Sequence, residues 1–258
     1  MTDFGFSRRG LITAGSALGG LLLSGCNRLA QAPSTVDLLS RAEGLTLRGQ
    51  RLLLAGQPLA REFSARDISP VFKSNGSTNP DSDDYRAMVA NNFADWRLKV
   101  SGLVQKPLSL SLAQLKSLPA RTQITRHDCV EGWSAIGQWT GVQLGGLLHA
   151  AGLQPHARYA VFHCADALEA TLDGSGQYYE SIDLFDAFHP QTILAYALNG
   201  HPLAVAHGAP IRLRVERQLG YKQAKYVMGV ELVDRLDNIG GGKGGYWEDR
   251  GYEWYAGI

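Results

Sequence analysis

Between residues 96 and 232 the chain never settles into one repeating period. Short apolar or alternating stretches recur at Trp96–Val100, Thr122–His127, Arg158–Cys164, Thr192–Ala195, Ile211–Glu216 and Tyr226–Leu232, and each is predicted as a strand. The helical segments among them are brief. Ser111–Leu118 is one, with Ser111 as a candidate N-cap; Leu144–Ala151 is another, closed by Gly152; Ile182–Phe188 is a third, before Pro190. Asn199-Gly200 is a hairpin signal. A doubly wound sheet needs strands and crossover helices in regular alternation. That alternation is missing, so the predicted fold class is α+β.

The 258 residues suffice for one sizeable core. Hydrophobic residues make up 45% and charged residues 19%, which excludes wholesale disorder. Lys and Arg number 25 against 24 Asp and Glu, so charge gives no reason to expect a nucleic-acid partner. No Walker A motif and no Gly-x-Gly-x-x-Gly following a strand is present. The glycine-rich stretch 240–245 reads as a flexible loop. The aromatics after it, Tyr246, Trp247, Tyr252, Trp254 and Tyr255, are expected to pack over a core rather than bind a ligand.

The N-terminus reads as an address. Arg8 and Arg9 precede a short apolar run over residues 11–23, which suits a signal peptide better than a membrane span. The Arg pair resembles a twin-arginine signal. Leu23-Ser24-Gly25-Cys26 resembles a bacterial lipobox, which would make Cys26 the acylated first residue of the mature protein. The expected organisation is a signal over 1–26, a tether and peripheral segment over 27–60, and one domain over 61–258. The expected location is the periplasm, reached by the twin-arginine route, with the lipid at Cys26 holding the protein to a membrane.

Three cysteines occur, at 26, 129 and 164, so this is no disulfide scaffold. Cys129 follows Arg126, His127 and Asp128 at the end of a predicted strand. Basic side chains beside a thiol favour the thiolate, the form that binds metal. The residues alone leave other readings open. A Cys129–Cys164 disulfide fits an oxidising compartment. A zinc site with His127 and His163 has poor spacing. A buried apolar cysteine is the third.

Asp128-Cys129-Val130-Glu131-Gly132-Trp133-Ser134, followed by Trp139-Thr140-Gly141-Val142, resembles the molybdenum-ligand region of the sulfite oxidase superfamily. It is most similar to the bacterial branch containing the methionine sulfoxide reductase catalytic subunit. The resemblance runs from about Phe72 to Leu232. It implies a mixed-sheet, sulfite oxidase-type molybdopterin-binding domain, with one molybdenum-molybdopterin per chain and Cys129 as the metal's protein ligand. Asn75 matches an early pterin contact, His207 and Arg212 match a His/Asn-Gly-x-Pro-x-Arg motif, and Gly220, Tyr221, Lys222 and Lys225 match the segment around the phosphate. Arg and Lys supply charge-assisted bonds to a phosphate, and a glycine lets backbone amides approach it. His207 stands where the methionine sulfoxide reductase branch has Asn. Cys164 stands near that branch's Thr, and Asp166 near an acidic cofactor contact of sulfite oxidases. Arg126 and His127 are the candidate charged groups beside the substrate oxygen.

The resemblance therefore implies an exported oxidoreductase doing two-electron chemistry, oxygen-atom transfer on a small oxide or sulfur-containing substrate. The alternative is a non-enzymatic periplasmic binding or assembly lipoprotein with Cys129 and Cys164 joined. Without haem or iron–sulfur motifs, the centre needs an electron-transfer partner, a membrane cytochrome or a soluble redox protein. The dimerisation domain of sulfite oxidases is absent, so a monomer is expected.

Overall fold

A computed structural model describes residues 32–258. The signal and lipidation expectations over residues 1–26 lie outside the described residues. The chain divides after Pro58 into two units. In the first, the described residues form one helix, Pro33–Leu53, where a tether was expected. Its proline sits in the first turn, where a missing N–H costs nothing. No helix of the described residues is long and apolar enough to cross a membrane.

The second unit, Leu59–Ile258, is α+β with two five-stranded sheets. The first sheet has the order β2-β1-β10-β5-β6: β1 is Arg97–Gly102, β2 Leu108–Ser111, β5 Tyr159–Ala167, β6 Gln177–Asp183 and β10 Val227–Val233. β1 and β10 run parallel and all other neighbours antiparallel, so the sheet is mixed. The second sheet is antiparallel, β3-β4-β7-β8 with β9 also on β7: β3 is Ala120–Asp128, β4 Ser134–Gln143, β7 Ile193–Leu198, β8 His201–Pro202 and β9 Arg212–Arg214.

Local signals place several elements well. Ser111 caps the helix Leu112–Lys116 in a capping box with Gln114. The helix Leu144–Ala151 ends at Gly152 as expected. Asn199 and Gly200, both at positive φ, turn β7 into β8. The predicted helix over Ile182–Phe188 shrinks to Leu184–Ala187, because Ile182 and Asp183 belong to β6.

Four strands escaped the sequence reading, although the Asn199-Gly200 turn signal foreshadowed the two-residue β8. β4 is ten residues of clean inward–outward alternation interrupted by Gly137 and Gly141, which look like turn signals. At Gly141 an added Cβ would lie 2.2 Å from the Leu194 carbonyl oxygen. The glycine thus marks the close approach of β7, not a break. β6 has no alternation to read, since Tyr178 through Ile182 are buried on both faces, Glu180 and Ser181 included. β2 is only four residues long.

The larger core lies on the first sheet and includes Trp96, Leu98, Leu115, Leu148, Phe162, Val230 and Leu232. A smaller one includes Phe72, Trp139, Ile193 and Leu203. The stretch 240–245, expected to be a flexible loop, is tied down. Gly241 N–H and Lys243 N–H donate to the Asp249 carboxylate, Ser181 donates to the Gly244 carbonyl, and Tyr246 N–H donates to the Tyr179 carbonyl.

Candidate functional site

Five chain segments converge on an open cavity of about 680 Å3. They are the loop Asn75-Gly76-Ser77, the β3–β4 hairpin loop, the ends of β5 and β6 with Asp166 and Tyr178, the segment Tyr221–Lys225, and the C-terminal aromatics Trp247 and Tyr252.

Cys129 enters through the hairpin loop. The last ladder pair is Asp128 with Ser134, whose hydroxyl donates to the Asp128 carboxylate at 2.6 Å. Cys129 N–H donates to the Trp133 carbonyl, and Gly132 N–H to the Cys129 carbonyl, both at 3.0 Å. Gly132 at φ 85° closes the loop. Cys129 is half-buried at its tip, next to the exposed Val130. The electrostatic expectation for this thiol is corrected: burial pushes the Cys129 pKa up, and Lys73 opposes that only weakly. The basic neighbours in sequence do not help, because strand alternation separates them. Arg126 faces outward, donates to Asp128 at 2.9 Å and lines a different cleft with Arg61, Phe63 and Glu216. His127 points inward and is 0% exposed.

His127 is held as a neutral ring. Burial, then Arg214 and Arg212, push its pKa well below the usual histidine value. Arg214 donates to His127 Nδ1 at 3.0 Å, which puts the ring's proton on Nε2. Gln223 is the side-chain partner on the other side of the ring, and its bond opposes the downward shift. A Cβ on Gly220 would lie 2.5 Å from His127 Nε2, so Gly220 is required for the 3-10 turn Gly220–Lys222 to rest on the His127 ring. Beneath His127, the buried Trp139 ring lies 4.4 Å from the Arg214 guanidinium and 5.1 Å from that of Arg212.

Arg212 donates to the carbonyls of His207 and Gln223 at 3.3 and 3.2 Å. Burial and Arg214 press its pKa down to about 9. His207 Nδ1 lies 3.2 Å from Ser74 Oγ, which itself donates to the Ala206 carbonyl, so Nδ1 carries a proton toward Ser74. Lys225 reaches the cavity with the Ser77 and Ala206 carbonyls as hydrogen-bond partners and the Tyr226 ring 5.1 Å away. Burial, then Arg212, lower its pKa to about 7. Ser77 also donates to Asp166 Oδ2 at 2.5 Å, and burial raises the Asp166 pKa. Asp166 reaches the cavity past an irregularity in the β5–β6 register, which Gln177 bridges by donating to the Cys164 and Asp166 carbonyls at 2.6 and 2.8 Å.

Of the residues singled out in the sequence, Asn75, Cys129, Asp166, Tyr221 and Lys225 line this cavity. Gly220 borders it, its carbonyl 3.5 Å from Asn75 Nδ2. His127, His207 and Arg212 stand behind the wall. Lys222 turns away into the core, between Glu180 and Glu248. Cys164 is buried and lines a separate cavity with Tyr179 and Ile239. Both cysteines are free, so the disulfide reading is set aside. Sequence reasoning missed Ser77, Tyr178, Gln223, Trp247 and Tyr252. Gln223 lies between Lys222 and Lys225, within the segment matched to the phosphate end. The two aromatics were assigned to packing, although their density near a glycine-rich stretch was the available signal.

The donor set fits a cofactor that brings most of its own metal ligands. Among the described residues, no group of three or more His, Cys, Asp or Glu side chains converges as a metal site. A metal at Cys129 therefore has one soft protein donor there. Asn75 Oδ1 and Asp166 Oδ1 are buried on the cavity wall without partners. A buried polar group left unpaired costs roughly 1–3 kcal/mol, so these two oxygens suit a polar ligand in the cavity.

Residues 86–238 match the oxidoreductase molybdopterin-binding domain model. The chain is 38% identical over 202 residues to a putative protein-methionine-sulfoxide reductase subunit, YedZ1, of Azospira oryzae, covering 76% of this chain and 70% of that protein. It is 36% identical over 163 residues to the protein-methionine-sulfoxide reductase catalytic subunit MsrP of Xanthomonas campestris pv. campestris, covering 60% of this chain and 50% of that one. The chain thus spans about half the length of that relative. The sulfane dehydrogenase SoxCD of Paracoccus pantotrophus is similar with a TM-score of 0.49 and 25% identity, over 55% of this chain and 39% of that one.

Proposed function

Because the chain belongs to the oxidoreductase molybdopterin-binding family, we propose that it reduces a methionine sulfoxide carried on a protein or peptide, by oxygen-atom transfer at a molybdenum bound through Cys129. The observation that carries this is the cavity itself: one half-buried thiol facing two buried, unpartnered oxygens and one lysine. The overall reaction takes a sulfoxide, two electrons and two protons to a thioether and water.

When bound, molybdenum-molybdopterin supplies the two-electron couple and the acceptor for the oxygen atom. The chain's residues supply the rest. Cys129 donates its thiolate, losing the proton that burial holds on the free thiol. Asn75 and Gln223 offer an acceptor and an amide to the polar faces of the pterin. Lys225, with Arg212 behind it, offers cationic partners for the phosphate. Asp166, whose pKa burial raises, is placed to hold a proton at the cavity wall.

Export belongs to the same proposal, supported by Arg8, Arg9 and Leu23–Cys26. So does an electron-transfer partner, supported by the naming of both relatives as subunits. We further propose a lipid anchor at Cys26 and a monomeric domain. The test is metal analysis of purified protein with a dye-linked assay on a methionine-sulfoxide peptide. Equimolar molybdenum and turnover are expected. Molybdenum-loaded protein inert toward sulfoxides would overturn the substrate assignment.

A further inference from the structure

One wall of the cavity lies outside the matched family region, which ends at residue 238. It is built by Trp247 and Tyr252. Their rings stack at 5.2 Å and 30°, and Tyr252 N–H donates to the Trp247 carbonyl at 3.0 Å. Tyr252 meets Tyr221 edge-on at 5.2 Å, and the Tyr221 hydroxyl donates to the Glu253 carbonyl at 2.6 Å. Tyr252 stays 41% exposed, at the rim.

This pair is held from behind. Glu248, one residue past Trp247, is buried against Lys222, which also pairs with Glu180. Each member sits beside a cavity-lining residue: Glu180 is two along β6 from Tyr178, Lys222 lies between Tyr221 and Gln223, and Glu248 follows Trp247. A Cβ on Gly245 would lie 2.0 Å from Glu248 Oε2 and 2.8 Å from Glu180 Oε1, so a larger residue here would have to push the carboxylates aside. The Trp254 ring covers Lys222 at 5.2 Å and donates its N–H to Ser181 Oγ at 2.8 Å. The segment, exposed only over residues 250–253, is thereby fixed to the body of the domain at a buried ion cluster.

The lining is mixed. Asn75, Asp166, Gln223 and Lys225 contribute polar groups, and Tyr178, Tyr221, Trp247 and Tyr252 contribute aromatic rings. With Asn75, Gln223 and Lys225 given to the cofactor, the aromatic rings are what remains for a substrate, and an alkyl sulfoxide brings apolar arms to them. We propose, resting on the sulfoxide reading above, that Trp247 and Tyr252 are the specificity wall, receiving the aliphatic arm and adjoining backbone of a peptide-borne sulfoxide, with Glu248 and Lys222 as the residues that position them. Dimethyl sulfoxide has no such arm and gains little from the wall.

The test compares kcat/KM for a methionine-sulfoxide peptide with that for dimethyl sulfoxide, on the molybdenum-loaded full chain. Trp247→Ala should lower this ratio about tenfold, the loss of one large aromatic contact, and mainly through the peptide's KM. Tyr252→Ala, at a more exposed position, should shift the ratio the same way by less, and Trp247→Phe should restore part of it. Binding of the corresponding methionine-sulfone peptide, which cannot be reduced, should weaken in step. A ratio and a sulfone affinity unchanged in both alanine variants would overturn the wall while leaving sulfoxide reduction standing. A wild-type chain that binds the sulfone through these residues yet reduces neither sulfoxide would overturn the reaction alone.

Discussion

Lys222 and Lys225 are three residues apart on one segment and live in opposite electrostatic worlds. Lys222 is fully buried between two carboxylates; burial pushes its pKa down, Glu180 and Glu248 outweigh that, and the net shift is upward. Lys225 faces the cavity with two backbone carbonyls as partners, and its pKa falls to about 7. The first region is a buried ion cluster, although Glu180 Oε2 and Glu248 Oε2 are without hydrogen-bond partners. The second is a wall awaiting an anion. The difference shows why residue type within a motif does not assign a role: Lys222 ends the 3-10 turn Gly220–Lys222 while Lys225 lies beyond it, and only the second reaches the cavity.

The comparison breaks most visibly at Lys222. Lys222→Met leaves Glu180 and Glu248 buried without a cation and should destabilise the domain by roughly 3–5 kcal/mol. Urea unfolding checks this, and Lys225→Met, which strands no buried carboxylate pair, should cost far less while losing cofactor retention. If the two variants lose stability equally, the contrast is wrong.

A pH scan sharpens the same contrast. Between about 7 and the ordinary lysine value of 10.5, an unfolded Lys225 keeps a proton that the folded one has lost. The unfolded state then binds more protons, so stability of the cofactor-free chain rises with pH across that window. Below about 7 both states are protonated and the contribution is flat. Relative to Lys225→Met, the wild type should show this positive slope in its urea midpoint; a zero or negative difference would contradict the burial assigned here. His127 works further down. Its folded pKa lies well below 6.5, so its contribution is lost as pH falls below 6.5, when only the unfolded ring takes a proton.

Gly245 gives a smaller effect. Gly245→Ala places a Cβ against the two carboxylates, an overpacking expected to cost about 1–3 kcal/mol. Thermal unfolding reads it, and stability equal to wild type would show that the ion cluster yields easily. Smallest of all is the packing cost of Cys129→Ser, about 1 kcal/mol or less, because the thiol is half-buried and the substitution nearly isosteric. Cys164→Ser, in a fully buried site, serves as its control.

Much of the site was legible because its residues come in ordered motifs: Asn75, Cys129, Asp166, Tyr221 and Lys225 do converge. What failed was direction. Arg126 and His127 are adjacent on β3, and alternation sends one to solvent and the other beneath the cavity, which no residue-type argument anticipates without the strand's register. Lys222 was assigned to the phosphate because its two carboxylate partners are 42 and 26 residues away. The fold followed the same rule. Ser111 and Gly152 announced themselves locally, while β4 and β6 were hidden, one by glycines that serve a neighbouring strand and the other by burial on both faces. The aromatic wall carried no motif at all.

The central claim is that Cys129 is the protein's ligand to molybdenum. X-ray absorption at the molybdenum edge, on wild type and Cys129→Ser with equal metal content, tests it directly. The account predicts one fewer sulfur neighbour in the variant, replaced by oxygen, with turnover lost and the fold retained. An identical sulfur shell in the two proteins would contradict it.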